Sequence, residues 1–234
     1  MRTFTLLVVV ISCLFIGLSF AQQQTGAAPA VQQNPSNIGF EWAFGVLQIK
    51  GDEEHLVRIT RDTTLKSGDE IKLFVKLTKD CFVYVLHQGP SGEIDLLFPY
   101  NIQQFQKDYV TEKNYYIPKG REWLKLDKSV GKEVFFILAS TERLLDIEAK
   151  VGNYISADAA SKKTLGDSLV SEIRSVRKRY STFATIAEKP IAIGGNIRDL
   201  IGEVKSGRHP DVANIATEIK ANNFFSKTIT IDHQ

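Results

Sequence analysis

Residues 71–77 read Ile-Lys-Leu-Phe-Val-Lys-Leu, and this stretch constrains the fold more than any other. Ile71, Leu73, Val75 and Leu77 fall on one face, and Lys72 and Lys76 fall on the other. A period of two with one apolar face marks a strand lying on a core. The next run, Cys81-Phe82-Val83-Tyr84-Val85-Leu86-His87, is apolar on both faces, which suits a central strand. Gly89-Pro90-Ser91-Gly92 has turn chemistry, because Pro fixes φ and Gly permits positive φ. Glu93 to Phe98 then returns as the partner of a hairpin. Pro99 has no N–H to continue a ladder and keeps Phe98 extended. Phe98-Pro99 therefore reads as a strand terminator whose ring seals the sheet end, in preference to the lip of a binding site. Further runs rich in aromatic and β-branched residues lie at 38–51, 55–60, 114–118, 122–126 and 133–139. Short strands at this spacing predict a sandwich or open barrel.

After Ser140 the period changes. Ser140 or Thr141 is placed to cap a helix with Glu142 in its first turn. Leu144, Ile147 and Val151 would share one face, and Gly152 is the expected stop. A longer helix is expected from Ala159 to about Thr182, with Leu165, Leu169, Ile173, Val176 and Tyr180 as one apolar stripe. Residues 188–210 read as irregular, with a short strand at Ile191–Ile193. Asp211 is placed to cap a last helix, Val212 to about Ala221. Phe225, Lys227, Ile229 and Ile231 alternate with Ser226, Thr228 and Thr230. A closing strand over 224–232 is therefore expected to rejoin the sheet, since a loose apolar strand would aggregate. The expected fold is α+β: an antiparallel β-sandwich-like domain with two or three C-terminal helices and a C-terminal strand returning to the sheet. Residues 38–234 are expected to form a single folded domain, mainly β over 38–140 and mainly helical over 141–222.

The first residues address the compartment. Arg2 is followed by an apolar run from Leu6 to Phe20, and Ser19-Phe20-Ala21 presents small residues where a signal peptidase reads. This is the layout of a secretory signal peptide over 1–21. The run is about 15 residues, short of the roughly 20 that a spanning helix needs. Gln22 follows the cleavage point where a lipoprotein would carry Cys, so export to the periplasm or beyond without a lipid anchor is expected. No later segment is apolar enough to span a membrane. Residues 22–37 are polar and of low complexity and read as a flexible linker. Cys81 alone of the two cysteines survives cleavage. No intramolecular disulfide can then form, and within its apolar run Cys81 reads as a small buried hydrophobe. With 29 basic and 27 acidic residues the charge is nearly balanced, which excludes a broad nucleic-acid-binding surface.

The β region resembles the bacterial family catalogued as domain of unknown function 4384. The resemblance rests on Gly68-Asp69, Tyr84, Gly92, Leu97-Phe98-Pro99, Ile117-Pro118, Gly131, Glu133 and Ala139-Ser140, in that order. It covers about Leu65 to Leu144. The family usually has Asn after the first of these prolines, and here Tyr100 precedes Asn101. The family has no assigned activity and occurs in exported proteins and beside enzyme domains. The resemblance thus implies a fold and an envelope setting and transfers no active site.

Chemistry-bearing groups are sparse. Gly166-Asp167-Ser168-Leu169 spells the nucleophile motif of GDSL esterases, but it falls inside the longer expected helix and not at a strand end. The closing Ile231-Asp232-His233 also lacks the spacer of that family's Asp-x-x-His. His55, His87, His209 and His233 share no metal-ligand spacing, and His87 reads as a strand-end residue. Asp52-Glu53-Glu54 reads as solvated charge in a loop. Gly194-Gly195 and Lys205-Ser206-Gly207 fit no phosphate-loop pattern. No catalytic residue, metal ligand or cofactor is assigned. Lys163, Arg174, Arg177 and Lys178 are expected opposite the apolar stripe of the longer helix, as a binding face for an anionic partner. Aromatics from Phe82 to Trp123 read as sheet core. The expected function is a non-catalytic exported module that binds or assembles with a protein or other envelope component. The alternatives are a GDSL-like hydrolase and a subunit of a larger surface or secretion assembly.

Overall fold

A computed structural model describes residues 36–50, 53–180, 186–190 and 209–234. The strands in chain order are β1 (Ile38–Lys50), β2 (Glu53–Arg58), β3 (Thr63–Leu65), β4 (Glu70–Leu77), β5 (Phe82–Gln88) and β6 (Ile94–Phe98). They continue as β7 (Asn114–Ile117), β8 (Leu124–Lys125), β9 (Gly131–Ser140), β10 (Ile186–Pro190), β11 (Thr217–Ala221) and β12 (Phe224–His233). The helices are α1 (Gln104–Lys107), α2 (Leu145–Ile155) and α3 (Ala159–Tyr180). One sheet runs β10-β11-β1-β4-β7, with β2 also on β1 and β8 also on β4. The other runs β3-β12-β9-β5-β6. Every pairing is antiparallel except that of β3 with β12.

The alternation in β4 does what its sequence predicts. Ile71, Leu73, Val75 and Leu77 are buried between the sheets. They meet Val83 and Val85 of β5, Phe135 and Ile137 of β9 and Phe225, Ile229 and Ile231 of β12. Edge-on ring pairs bridge the layers, Phe40 to Phe225 at 5.5 Å and Phe44 to Phe135 at 4.8 Å. β5 and β9 are apolar on both faces because the second sheet is the middle of three layers. Its outward residues Tyr84, Leu86, Phe136 and Leu138 carry the helices, which supply Ile147, Val151, Leu169, Ile173 and Val176. The stripe of α3 is thereby accounted for. β12 closes the chain along the full length of β9, Phe224 opposite Ser140 and His233 opposite Gly131.

Four local expectations are corrected. Residues 217–221 are a strand, not the end of a helix. Asp211 does cap, its carboxylate accepting the Ala213 N–H at 2.9 Å, but only a short 3-10 turn over Val212–Ile215 follows. Thr217 to Ala221 then pair with Trp42 to Ile38, because β1 offers an open ladder that outweighs weak local helix preference. Helix α2 starts at Leu145 and not after Ser140, because Ser140 is still paired in β9. Its first turn is held from the sheet: the Tyr84 hydroxyl accepts the Leu144 N–H at 2.9 Å and donates to Glu148 at 2.7 Å. Gly152 lies inside α2, which runs on to Ile155. Glu53 and Glu54 belong to β2 and not to a loop.

The expected signal peptide, nearly all of the linker, Ile191–Ile193, Gly194-Gly195 and Lys205–Gly207 lie outside the described residues. Among the described residues no helix is long and apolar enough to cross a membrane.

Candidate functional site

β6 is the last strand of its sheet, and β7 and β8 lie at the same side of the other. Between these edges the sandwich stays open. An apolar mouth of about 270 Å³ is lined by Leu73, Leu96, Leu97, Ile117 and Pro118, with Tyr100, Lys119 and the half-exposed Leu124 around it. Phe98 itself is fully buried, packing on the rings of Tyr100, Tyr109 and Tyr115 at 5.1–5.8 Å. The terminator reading of Phe98-Pro99 holds, and the lip begins two residues later.

Tyr100 is fixed from several directions. Its N–H donates to Gln104 Oε1 and its hydroxyl to the Tyr116 carbonyl, both at 2.7 Å. Burial pushes that hydroxyl up to about 12. Lys119 Nζ stands 4.1 Å above the ring, a cation–π contact. A polar cleft of about 520 Å³ adjoins the mouth, sharing Tyr100 and Lys119 and lined also by Asn101, Gln103, Gln104, Lys107 and Asp108. The polar run after Pro99 is explained here: Asn101 Oδ1 accepts the Gln104 N–H at 3.0 Å, and the short helix α1 follows.

Lys72 shapes the far wall. A lysine opposite an apolar face reads as solvated, yet Lys72 is only 4% exposed. Its ammonium donates to the carbonyls of Pro118 (3.3 Å), Gly120 (3.0 Å) and Glu122, holding the loop that carries Lys119. Burial lowers its proton affinity below the ordinary lysine range, against the opposing pull of Asp211 and Glu122.

A second cluster lies at the ends of β5, β9 and β12. His87 Nε2 is 2.5 Å from Glu133 Oε2, and its Nδ1 is 3.6 Å from Asp95. Burial would lower the His87 imidazole, but hydrogen bonds to Asp95 and Glu133 and their charges raise it to about 9. Glu133 and Asp95 are held below the usual carboxylate range by their hydrogen bonds to His87. Glu133 also lies 3.4 Å from His233, whose Nε2 meets Ser67 Oγ at 3.2 Å. Serine, histidine and glutamate thus stand in the order of nucleophile, base and orienting acid. The backbone donors at the serine are occupied, however. The Ser67 N–H bonds Gln234 O and the Gly68 N–H bonds Leu126 O, both at 2.9 Å, so neither is aimed at a developing oxyanion. The cluster therefore reads as an ionic brace between strands. Sequence reasoning missed it, because its members are brought together only by strand register. Among the described residues no group of three or more His, Cys, Asp or Glu is arranged to hold a metal ion.

By helix geometry the four basic residues of α3 fall within one arc of about 100°, but they differ in exposure. Lys163, Arg174 and Lys178 are exposed, but Arg177 is half-buried and donates Nη1 to Thr228 Oγ1 of β12 at 2.8 Å. Lys163 lies about 16 Å along the axis from Arg174 at 1.5 Å per residue. The structure thus brings Arg174 and Lys178 together on adjacent turns, leaves Lys163 apart and turns Arg177 towards the sheet. Ser168 sits inside α3 and accepts from Lys150 Nζ at 2.9 Å, while Gly166 packs on Tyr154. The strand-to-helix elbow that a GDSL serine requires is not formed there.

The architecture is that of an α+β sandwich with one helix-covered sheet and an open groove on its flank. Residues 64–143 match the family model described as Domain of unknown function (DUF4384), which bears out the resemblance carried by Leu97-Phe98-Pro99 and Ile117-Pro118. Every residue lining the mouth and the cleft falls within that matched segment. No curated protein and no solved structure matches the chain.

Proposed function

We propose that this chain is an exported, non-catalytic binding module of the cell envelope, engaging a protein component through the groove around Tyr100. One observation carries the reading: an apolar mouth and a polar cleft meet at a rigidly held Tyr100–Lys119 pair. A concave apolar surface with a few fixed polar groups is the usual form of a recognition site. The apolar run over 6–20 supports export.

The test is a photo-crosslinking amino acid placed at Leu124 on the groove rim, or at Val57 on β2 as a control, in the native cell. A discrete adduct from position 124 and none from 57 is the expected result. Equal adducts from both, or none from either, would refute the groove as the binding surface. Recovery of the protein in the cytoplasmic fraction, with residues 1–21 still attached, would refute export.

A further inference from the structure

We infer that the groove receives an extended peptide segment of its partner, which adds as a strand to the outer edge of β6 and sets a carboxylate against Lys119. This deepens the binding reading above and rests on it. The backbone gives the first argument. Gly89 and Glu93 form a hydrogen-bonded pair closing the β5–β6 hairpin, and Gln88 pairs with Ile94 and Leu86 with Leu96. The Ile94 N–H points away from β5, reaching the Tyr154 hydroxyl of α2 at 2.9 Å. In an antiparallel ladder that direction repeats every second residue, and the pairing holds its register from Gln88–Ile94 to Leu86–Leu96, shifting only beyond it at Val85–Phe98, so the Leu96 N–H and C=O also face outward. They lie at the mouth, which Leu96 itself lines. An outward-facing pair on an edge strand is a template for another chain.

The side chains give the second argument. The mouth, about 270 Å³, falls just below the roughly 300–1,000 Å³ of small-molecule pockets, so it suits one or two aliphatic side chains. The cleft beyond it carries two cations, Lys107 and Lys119, and one carboxylate, Asp108, which is already paired with Lys113. The charge left over is positive, and a carboxylate on the added strand complements it.

The probe is a fluorescein-labelled peptide, Thr-Leu-Glu-Leu-Thr. It is compared with a copy whose backbone nitrogens are methylated and with a copy carrying Lys for Glu. Fluorescence anisotropy with the full chain should saturate for the first peptide. Binding should be lost with the methylated copy and weakened about tenfold or more by the Lys copy, and by Lys119→Glu against the acidic peptide. Hydrogen exchange at the Leu96 amide should slow when the acidic peptide is added. Lys119 is exposed, so its variant keeps the fold. The inference is overturned if the acidic peptide fails to bind at millimolar concentration, if the methylated copy binds as tightly, or if exchange at Leu96 does not change. Displacement of the peptide by phosphatidylglycerol vesicles would also overturn it, in favour of a lipid surface. If position 124 captures a protein while the peptides fail, the binding reading stands and strand addition falls. If both fail, both fall.

Discussion

Raising the pH from about 6.5 to 9 should weaken this fold through His87. In the unfolded chain its imidazole titrates near 6.5, whereas in the structure Asp95 and Glu133 outweigh burial and hold it at about 9. Below 6.5 both states carry the proton, and the stabilisation is complete. Between the two values only the folded state keeps it, so the unfolding free energy declines with pH. Above 9 the contribution is gone. At about 1.4 kcal/mol per pH unit the loss across the window is about 3 kcal/mol. Asp95 and Glu133 work from the other side. Their lowered proton affinities add stability above the ordinary carboxylate range, and that stability is lost on acidification. The three groups form one network, so this energy is counted once, and a plateau is expected near pH 5–6.5. Urea unfolding followed by tryptophan fluorescence, from pH 5 to 9.5, measures it. His87→Gln leaves Glu133 without its closest partner. That variant should be about 3 kcal/mol less stable than the parent at pH 6 and nearly equal to it at pH 9.5. Subtracting the two profiles cancels the titrating groups outside this network, and Asp95 and Glu133 titrate below the pH 6.5–9 window. A difference that stays flat across pH 6.5–9 would refute the reasoning.

Three further outcomes follow from the packing. Lys72→Met removes three hydrogen bonds to loop carbonyls and should cost about 2 kcal/mol, with faster hydrogen exchange at 119–122 as the local readout. Phe98→Ala empties a fully buried position between three tyrosine rings and should cost about 3–5 kcal/mol in urea unfolding. Burial pushes the Cys81 thiol up to about 11, so iodoacetamide at pH 8 should label it only in denaturant; fast labelling of the native protein would show that β5 opens.

The parts of the fold legible in sequence are those fixed by local period. The alternation of β4, the two apolar faces of β5 and β9, the stripe of α3 and the closing strand β12 all read directly, because burial selects every second or every third and fourth residue. What failed was decided by distant partners. Thr217 to Ala221 tolerate either helix or strand, and the open ladder at Ile38–Trp42 made the choice. Lys72 looks solvated by period alone, and only the return of the chain at 118–122 buries it. His87 and Glu133 are separated by 46 residues and face each other through the register of β5 with β9. Tyr100 reads as core with the other aromatics, although the terminator it follows marks where the chain leaves the sheet and the groove begins.

The segment matching the family model is not a closed sandwich. Residues 64–143 supply β4, β7 and β8 to one sheet and β5, β6 and β9 to the other. The strand between β4 and β11 is β1, and the strand between β3 and β9 is β12; both come from flanking sequence. They carry Phe40, Phe44 and Phe225, three of the four rings in the two edge-on pairs that bridge the layers. A fragment of 64–143 would therefore expose the long ladders of β4 and β9 and half of the core at once, and unpaired ladders of that kind associate. It should bind the dye ANS and show no cooperative urea transition, while residues 36–234 unfold cooperatively. The groove belongs wholly to the matched segment, whereas its rigidity depends on β1 and β12. Those flanking strands hold β4 and β9 in register and so set the width of the mouth between β6 and β8. A fragment that unfolded cooperatively by itself would break this dependence.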